Sequence, residues 1–547
     1  MLDYWEYKRR NDQKIKQILE QGRWICLHSI LLKIIGGSQM KRFMVLIKYI
    51  LVLFMLLLSF SLVWCIEHFG NISLDEIIFT LNMPLKEAAD SYFISYFFSA
   101  VCPTIAFAVI LLLAKLYTKK RVYALNLLWK SKKGIRTIRL NGVAWFLVML
   151  IWIGEIISIS DENFALYSFV EGQLQASELI ENEYIDASEV NIKFPEEKKN
   201  MICIYMESAE TSFMDKANGG LLEDNIIPEM TQMAEENISF SHSELLEGAA
   251  VAPACGWTIA GLVAQTSGMP LKLYKYEAPD NAMGKYVSFL PGVTSMGEIL
   301  EKEGYKNFFM AGSGFGFAGR QDYFTQHGNY EIWDYNTAKE LGKIPEDYKV
   351  WWGFEDAKLY EFAKEKLIEL AAGGQPFNFS MITVDTHNGG GYVCELCTNT
   401  YDSQYMDVWA CGSRQVYDFV NWIKQQDFYD NTVICITGDH SSMEPGFLEE
   451  YEYEAHEGNT VRKVYNVIIN SKVEPVHMKN RKFTTLDMFP TVLASIGVEI
   501  EGERLGLGTN LFSDVPTLAE KYGYDELFTE LRKKSRFYDN NILYPKN

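Results

Sequence analysis

Residues 200–208 read NMICIYMES, a short apolar run that ends at a glutamate and a serine. Three further runs of this kind follow along the chain, at 307–310, 377–384 and 432–437. Between the runs lie stretches with helical periodicity, such as 357–370 and 416–426. Short apolar strands that alternate with amphipathic helices are typical of a mainly parallel sheet covered by helices on both faces. The sequence therefore predicts an α/β domain over residues 200–515.

Polar side chains follow two of the predicted strands at the points where the strands end. Glu207 comes directly after the first strand, and Asp439 and His440 follow the strand at 432–437. Ligand chemistry in a parallel sheet gathers at the carboxyl ends of the strands. Two carboxylates and an imidazole form a ligand set that Mn²⁺ or Zn²⁺ accepts. Each group taken alone fits a surface residue or a helix cap equally well, so both interpretations stay open.

A candidate nucleophile lies in residues 256–261, which read GWTIAG. The preceding residues, GAAVAPAC, are small and typical of a loop, whereas 258–265 can begin a helix. Thr258 is therefore expected at a helix N-terminus, where free N–H groups and the helix dipole favour an anion such as an alkoxide or a phosphate. A simple capping role for the Thr258 hydroxyl explains the same pattern.

The N-terminal third predicts a membrane anchor over residues 1–160. It contains three long apolar segments, at 43–66, 92–117 and 143–160. We expect each segment to cross the bilayer as a helix, with Glu155 in the third and shortest one reaching the interface or packing against protein. Residues 161–199 are polar and acidic and are expected to link the anchor to the α/β domain, and residues 516–547 are expected to form a C-terminal tail.

The charges of the connecting loops predict the orientation of the anchor. Residues 118–142 carry eight Lys and Arg residues and no acid, whereas residues 67–91 carry five acids and one lysine. Because cytoplasmic loops collect Lys and Arg, the basic loop and the N-terminus are expected inside and the α/β domain outside. The apolar stretch 24–35 is short and is expected as an interfacial helix. A cleaved signal peptide is disfavoured, because a long polar and basic stretch precedes the first apolar segment.

The net charge and the cysteines narrow the range of partners and folds. A net charge of −20, with no basic stripe outside the inner loops, argues against a nucleic-acid partner. Cys394, Cys397 and Cys411 lie close together in the sequence of the domain expected outside, where disulfides persist. We expect Cys397 to pair with Cys411, with Cys394 as the rival partner. A zinc site is less favoured, because no second CxxC motif or His pair lies nearby.

Six motifs in a fixed order carry a family resemblance. They read NMICIYMES, GWTIAGLVAQTSGMPL, FAGR, ITVDTH, ITGDHSSM and LDMFPTVLASIGVEIEGERLGLGTNLF. Together they resemble the alkaline phosphatase/sulfatase superfamily, and more narrowly the lipoteichoic acid synthases and the phosphoglycerol transferases that decorate periplasmic glucans. The glucan-decorating type is the more similar, through GWTIAG, VDTH and LGLGTNLF. The resemblance implies a sulfatase-like domain behind N-terminal transmembrane helices.

The resemblance also implies roles for individual residues. The metal ligands of the family correspond to Glu207, Thr258, Asp439 and His440, and Thr258 corresponds to the nucleophile as well. Arg320 of FAGR and His387 of VDTH correspond to residues that hold the phosphate and glycerol of the donor.

Several positions depart from the family pattern. Ala311, Ser313 and Ala318 stand where the lipoteichoic acid synthases have a histidine, an aspartate and a tryptophan, so the resemblance defines the metal site better than the substrate contacts. Sulfatase activity is not expected, because Cys255 is followed by Gly-Trp-Thr and not by the x-Pro-x-Arg context that converts a cysteine or serine to the catalytic aldehyde hydrate.

The function implied by the resemblance is that of a metal-dependent phosphoglycerol transferase in a bacterial cytoplasmic membrane. One divalent cation is expected, Mn²⁺ foremost, with Zn²⁺ or Mg²⁺ as alternatives. Glycerol phosphate would pass from phosphatidylglycerol in the outer leaflet, through a covalent phospho-threonine at Thr258, to a cell-surface glycan or polymer. A phosphoethanolamine transferase or phosphodiesterase of the same superfamily is the alternative enzyme. A non-catalytic membrane sensor or scaffold is the alternative from another class, which the complete set of metal-site residues disfavours.

Overall fold

The computed structural model describes residues 37–70, 72–82, 90–118, 126–131, 134–272, 288–444, 446–448 and 462–545. The chain divides into two compact units. The first comprises Met1–Trp64 and Phe93–Phe146, and the second comprises Cys65–Tyr92 and Leu147–Asn547. The stretch 24–35, expected as an interfacial helix, lies outside the described residues.

The first unit consists, in its described part, of helices and one hairpin. Helix Gly37–Phe69 begins in it, and helices Asp90–Tyr96 and Cys102–Thr118 are joined by a π-helical turn at Phe97–Val101. Within the basic loop, Asn126–Ser131 and Gly134–Arg139 form an antiparallel hairpin.

Two helices of the described chain are long and apolar enough to cross a membrane, at Val45–Phe69 and Tyr92–Leu113. They coincide with the first two predicted spans, and many of their large apolar side chains are exposed. The third predicted span, 143–160, lies within helix Leu140–Phe164, whose first side chains are outside the described set. Membrane crossing by this third helix stays a prediction.

The second unit is built around a six-stranded sheet. In chain order its strands are β1 Asn200–Met206, β2 Lys306–Ala311, β3 Glu331–Trp333, β4 Phe377–Ile382, β5 Thr432–Gly438 and β6 Asn466–Ile469. The strands lie side by side in the order β6-β5-β1-β4-β2-β3, and every neighbouring pair is parallel except β6 with β5. The predicted α/β fold with a mainly parallel sheet is confirmed.

The sheet is covered on both faces, since its central strands β1, β4 and β5 are buried along their whole length. Every residue of β1 is buried, and successive side chains point to opposite faces. Cys203 and Tyr205 therefore belong to one hydrophobic core, and Ile202 and Ile204 to the other. Burial of each large apolar side chain contributes about 1.5–3 kcal/mol, so the two cores hold the strand ends in defined positions.

Helices Asp356–Ala372 and Gln404–Ile423 contain the predicted helical patterns and pack into the core that holds Ile202. The second of them begins well before the predicted start at residue 416. Among the described residues from 166 onward, the other α-helices are Leu166–Leu174, Leu179–Glu183, Pro228–Glu236, Thr258–Ser267, Met296–Lys302, Arg320–Gln326, Tyr335–Glu340, Met488–Ser495, Leu518–Tyr522 and Tyr524–Arg532, with a π-helical turn at Tyr538–Leu543.

The segments expected as a linker and as a tail both fold into the second unit. Within 161–199, strand Ile192–Lys193 pairs with Glu499–Ile500. Within 516–547, helix Tyr524–Arg532 buries Leu527 and Leu531 in the core. These segments are polar overall and bury only a narrow apolar stripe, which is why their sequences resemble a linker and a tail.

Candidate active site and metal centre

Three predicted metal ligands meet at the carboxyl edge of the sheet. β1 and β5 are parallel neighbours, and Met206 is paired with Gly438 at their ends. Glu207 and Asp439 therefore leave the sheet side by side, and His440 follows. Each of the three offers one ligand atom, and these atoms all lie within 4.8 Å of one another. The predicted grouping is confirmed, whereas the role of the residues as metal ligands stays a proposal.

Glu207 is held in place by the backbone and by hydroxyl groups around it. Its N–H donates to Thr383 Oγ1 at 2.9 Å, and its carbonyl oxygen accepts from Thr386 Oγ1 at 2.7 Å. Ser208 Oγ donates to Glu207 Oε1 at 2.9 Å, and Ser208 has a φ of 61°, which is uncommon for a residue with a Cβ. Backbone strain of this kind clusters at functional sites, where the surrounding structure maintains it.

Asp439 and His440 are fully buried beside Glu207. Asp439 Oδ1 accepts hydrogen bonds from the N–H groups of Ser208 and His440, both at 2.8 Å. His440 Nδ1 lies 2.8 Å from the Ser441 carbonyl oxygen, a contact in which Nδ1 donates and leaves Nε2 directed at the carboxylates. That Nε2 is 3.4 Å from Glu207 Oε1 and 3.3 Å from Asp439 Oδ2. Despite this proximity, Asp439 Oδ2 has no partner with hydrogen-bond geometry among the described residues.

The electrostatics of these groups favour a positive charge between the carboxylates. Burial alone would raise the pKa of Glu207, but the charge of His440 prevails and lowers it to about 2. Burial and the neighbouring Glu207 raise the pKa of Asp439 to about 7. Burial opposes charging of His440, yet Asp439 and Glu207 raise the pKa of its imidazole to about 10. A bound cation would fill the same electrostatic role as the imidazolium.

The donor set fits a divalent cation. Two carboxylates and one imidazole nitrogen supply the oxygen and nitrogen ligands that first-row divalent metals accept. Buried carboxylate oxygens normally have a partner, because an unpaired buried charge is costly, and Asp439 Oδ2 has none with suitable geometry in the described chain. A cation held by Glu207, Asp439 and His440 would satisfy this oxygen.

Thr258 is the first residue of helix Thr258–Ser267, here called the nucleophile helix. Trp257 occupies the N-cap position and makes no side-chain capping bond, so the alternative in which the Thr258 hydroxyl caps the helix is wrong. Thr258 Oγ1 instead donates to Glu207 Oε2 at 3.3 Å and lies 3.5 Å from His440 Nε2. The predicted position of Thr258, at a helix N-terminus beside the candidate metal ligands, is confirmed.

Two further residues set the approach of the nucleophile helix to β5. A Cβ atom on Gly261 would lie 2.1 Å from the carbonyl oxygen of Asp439, so only glycine permits this approach. Gln265 Nε2 donates to the carbonyl oxygen of Gly438 at 2.8 Å. Sequence reasoning missed both residues. The signal was Gly261 itself, since a glycine inside a helix costs about 1 kcal/mol and calls for a packing reason.

Arg320 begins helix Arg320–Gln326 directly after Gly319, whose φ is 76°. Its Nη2 donates to the carbonyl oxygen of Gly314 at 2.6 Å and to Ser313 Oγ at 3.2 Å. Ser313, one of the positions that depart from the family pattern, therefore helps to orient the guanidinium group.

His387 lies within electrostatic range of the candidate metal site and of Arg320. Burial lowers the pKa of His387, and the charges of Glu207, His440 and Arg320 also act on it. The His387 ring is 4.8 Å from the ring of Trp352, which forms one wall around it. The structure thus brings the predicted substrate-binding residues to the same end of the sheet as Thr258, and their roles stay proposals.

Sequence reasoning also missed the hydroxyl groups that support Glu207. Thr383 and Thr386 follow β4 at the carboxyl edge of the sheet and bond to the backbone of Glu207. Inspection of every polar residue after a strand end would have found them, because both lie within the ITVDTH motif.

Cys394, Cys397 and Cys411 form a compact cluster. Cys394 Sγ lies 3.7 Å from the sulfur atoms of both Cys397 and Cys411, and all three sulfurs lie within 4.8 Å of one another. The geometry brings together the expected partners Cys397 and Cys411 and the rival Cys394. Their pairing stays a prediction.

Comparisons with known proteins place the second unit in a family. The family model described as Sulfatase matches residues 199–498. Phosphoglycerol transferase I of Xanthomonas campestris pv. campestris (strain B100) is 29% identical over 331 residues, which cover 59% of this chain and 44% of the relative. Phosphoglycerol transferase I of Escherichia coli O6:K15:H31 (strain 536 / UPEC) is 28% identical over 355 residues, which cover 64% of this chain and 43% of the relative. The chain therefore spans less than half the length of these relatives.

Among solved structures, the lipoteichoic acid synthase LtaP from Listeria monocytogenes is similar with a TM-score of 0.44 and 18% identity, covering 62% of this chain and 82% of that chain. The phosphoethanolamine transferase EptA from Neisseria meningitidis is similar with a TM-score of 0.45 and 13% identity. The match covers 82% of this chain and 84% of that chain. The family match spans more than half of the sequence and includes Glu207, Thr258, Arg320, His387, Asp439 and His440. The chain belongs to the sulfatase family, as the six sequence motifs predicted.

Proposed function

We propose that this chain is a phosphotransferase that moves glycerol phosphate from phosphatidylglycerol, through Thr258, to a cell-surface glycan or polymer. One observation carries the proposal. The Thr258 hydroxyl lies at a helix N-terminus, 3.3 Å from Glu207 and 3.5 Å from His440, within a buried ligand set that fits a cation. The names of the curated relatives, phosphoglycerol transferase I, support the choice of the transferred group.

A divalent cation would be held by Glu207, Asp439, His440 and the Thr258 hydroxyl, with Mn²⁺ foremost and Zn²⁺ or Mg²⁺ as alternatives. When bound, such a cation lowers the pKa of a coordinated hydroxyl and neutralises charge on a phosphoryl oxygen. The residues around it hold the site rigid, because Thr383 and Thr386 fix the backbone of Glu207.

Thr258 acts as the nucleophile in the first half of the reaction. Its Oγ forms a bond to phosphorus, and the bond from phosphorus to the diacylglycerol oxygen breaks. The proton of the Thr258 hydroxyl is transferred overall to the departing diacylglycerol. The free N–H groups of the nucleophile helix and its dipole favour the negative charge that develops at this position.

An acceptor hydroxyl completes the transfer in the second half. Its oxygen attacks phosphorus, the bond between phosphorus and Thr258 Oγ breaks, and the acceptor proton is returned overall to Thr258. Arg320 is suited to donate to the phosphate oxygens, and His387 to hydrogen-bond the phosphoglycerol group. Water as the acceptor would make the enzyme a phosphodiesterase.

The proposed location is a bacterial cytoplasmic membrane with the catalytic unit on the outer side. The apolar helices Val45–Phe69 and Tyr92–Leu113 support membrane attachment. The basic loop 118–142 and the acidic segment 67–91 support the orientation. In this location the phosphatidylglycerol of the outer leaflet is the available donor.

Incubation of the full-length protein in detergent with labelled phosphatidylglycerol and Mn²⁺ tests the proposal. We expect release of diacylglycerol by the wild type and a loss of at least about 10³-fold in Thr258→Ala, because removal of a nucleophile removes the covalent route. Thr258→Ser keeps a hydroxyl and is expected to retain part of the activity. Absence of diacylglycerol release by a wild-type protein that binds Mn²⁺ would refute the proposal.

The mass of the covalent adduct on Thr258 identifies the transferred group. Glycerol phosphate and phosphoethanolamine differ in mass, so intact-protein mass spectrometry separates the leading function from the alternative enzyme. If Thr258→Ala leaves the turnover of phosphatidylglycerol in cells unchanged, the non-catalytic sensor or scaffold is favoured.

A further inference from the structure

A short helix from the segment between the two apolar helices packs against the residue that precedes Thr258. This linking helix, Leu74–Asn82, belongs to the second unit together with residues 147–547. Its Phe79 is 1% exposed, and the Phe79 ring lies 5.5 Å from the ring of Trp257. Trp257 directly precedes Thr258, so the linking helix rests on the start of the nucleophile helix.

A charged residue one turn before Phe79 also holds the linking helix to the unit. Asp75 interacts electrostatically with Lys272, whose pKa is lowered to about 8 by burial while Asp75 opposes the shift. Asp75 also acts on Arg532 near the C-terminus. The linking helix is therefore held by the apolar contact of Phe79 and by the charge interactions of Asp75.

The segment around the linking helix also contacts the loops that carry the candidate substrate residues. The carbonyl oxygen of His68 accepts a hydrogen bond from Asn388 Nδ2 at 2.7 Å. The ring of Tyr92 lies 5.6 Å from the ring of Trp352, which in turn contacts His387. Residues before and after the linking helix are thus fastened beside His387.

Glu76 is the residue of the linking helix whose charge interacts with those of the candidate metal ligands Glu207 and His440. It lies three residues before Phe79, so the two side chains share one face of the helix. The charges of His440 and Glu207 act on the Glu76 carboxyl group, and burial raises its pKa to about 8. The side chain is partly accessible, and within the described residues its carboxyl group makes no hydrogen bond or ion pair. A polar group in this position is available to a substrate.

We infer that Glu76 is a specificity-determining residue that hydrogen-bonds the hydroxyl groups of the donor's glycerol, and so selects a polyol headgroup. The inference rests on the proposed function. A carboxyl group close to Glu207 is poorly suited to hold a phosphate oxygen, because like charges repel. A carboxyl group accepts hydrogen bonds from hydroxyl groups, and a polyol offers two of them on neighbouring carbon atoms.

Two donors separate headgroup recognition from general catalysis. Phosphatidylglycerol carries the glycerol, whereas bis(p-nitrophenyl) phosphate is a phosphodiester without it. The full-length protein is assayed in detergent with Mn²⁺ as the wild type, Glu76→Ala, Glu76→Gln and Glu67→Gln. Glu67 is an exposed carboxylate of the same segment and provides the matched control.

We expect Glu76→Ala to lower kcat/KM for phosphatidylglycerol by about 10- to 100-fold, as for loss of a buried hydrogen bond, and to leave nitrophenol release within about twofold. Glu76→Gln is expected to recover most of the activity, because an amide also donates and accepts. Glu67→Gln is expected to match the wild type with both donors.

Two results would overturn the inference. These are an unchanged kcat/KM for phosphatidylglycerol in Glu76→Ala, or an equal loss with both donors. If Glu76→Ala fails to fold, Glu76→Leu, which keeps the bulk of the side chain without its hydrogen-bonding atoms, is assayed in its place. A loss confined to phosphatidylglycerol then supports the inference, and an equal loss with both donors overturns it. A wild type that releases no diacylglycerol refutes the proposed function itself, whereas an active wild type with an unselective Glu76 variant refutes only the role of Glu76.

Discussion

At the scale of single residues, the pKa values of Glu207, Asp439 and His440 depend on one another. Glu207, Asp439 and His440 are each nearly or fully buried, and each would be costly alone. Together they leave one oxygen, Asp439 Oδ2, that lacks a hydrogen-bond partner among the described residues. Thr258 adds a hydroxyl group that the helix geometry does not use for capping. These features fit the proposed cation site with Thr258 as the adjacent nucleophile.

The first prediction concerns Asp439→Asn. Without added metal we expect its melting temperature to differ from that of the wild type by less than about 4 °C, because the amide keeps the acceptor for Ser208 and His440 and removes one of two neighbouring carboxylates. Mn²⁺ at about 100 times its Kd should stabilise the wild type by about 2.7 kcal/mol, and this gain should largely disappear in the variant.

Thermal unfolding with EDTA and with Mn²⁺ measures both effects. Asp430→Asn, which changes an exposed carboxylate, is the control and should keep the full metal-induced shift. A full shift in Asp439→Asn would argue against Asp439 as a ligand.

At the scale of secondary structure elements, the close approach of the nucleophile helix to β5 determines where Thr258 lies. Gly261 permits the approach and Gln265 secures it through the carbonyl oxygen of Gly438. Small displacements of a nucleophile have large kinetic effects, because a shift of about 1 Å can cost about 10²-fold in rate.

The second prediction concerns Gly261→Ala. The new Cβ would lie 2.1 Å from the carbonyl oxygen of Asp439, so the helix must move away. We expect diacylglycerol release to fall by about 10- to 100-fold. Gly412→Ala is the control, because its Cβ would meet its nearest atom at 3.7 Å, an ordinary contact, and activity should be kept. Full activity in Gly261→Ala would show that the approach does not position Thr258.

The third prediction concerns the cysteine cluster between the loop after β4 and helix Gln404–Ile423. In protein exported under oxidising conditions we expect one disulfide that includes Cys411, with Cys397 as the expected partner and Cys394 as the rival. Peptide mapping without reduction identifies the pair, and Cys411→Ser should lower stability by about 2–4 kcal/mol. Three free thiols in the exported protein would contradict the prediction.

Sequence patterns predicted the central elements well and the peripheral ones poorly, for physical reasons. β1 and β5 are buried on both faces, so they appear as unbroken apolar runs, and the polar residues after them stand out. β3 is only three residues long and leaves no comparable pattern. The position of Glu76 depends on the contact between Phe79 and Trp257, which no local pattern reveals.

At the scale of the whole molecule, the second unit, which holds the candidate active site, is not continuous in sequence. Residues 65–92 belong to it although an apolar helix and a basic loop separate them from residue 147 onward. The anchor region therefore supplies a structural part of the catalytic unit as well as an attachment to the membrane. This arrangement requires the segment at 67–91 and the α/β domain to lie on the same side of the bilayer.

The fourth prediction concerns that topology. A protease-sensitive tag at the C-terminus should be cleaved in intact spheroplasts, and the same tag inserted at 119–125 should be protected until the membrane is permeabilised. The charge difference between the two loops is the physical reason. Cleavage of the tag at 119–125 in intact spheroplasts would reverse the predicted orientation.

The discontinuous catalytic unit has a consequence for biogenesis. A ribosome synthesises the linking helix long before Trp257, so Phe79 lacks its ring contact until the chain has been made as far as the nucleophile helix. Closure of such a distant contact is entropically costly and comes late in folding. Exported protein should therefore pass through a stage in which the α/β domain has folded but the substrate site is still open. Envelope chaperones that shield apolar surface would act at that stage.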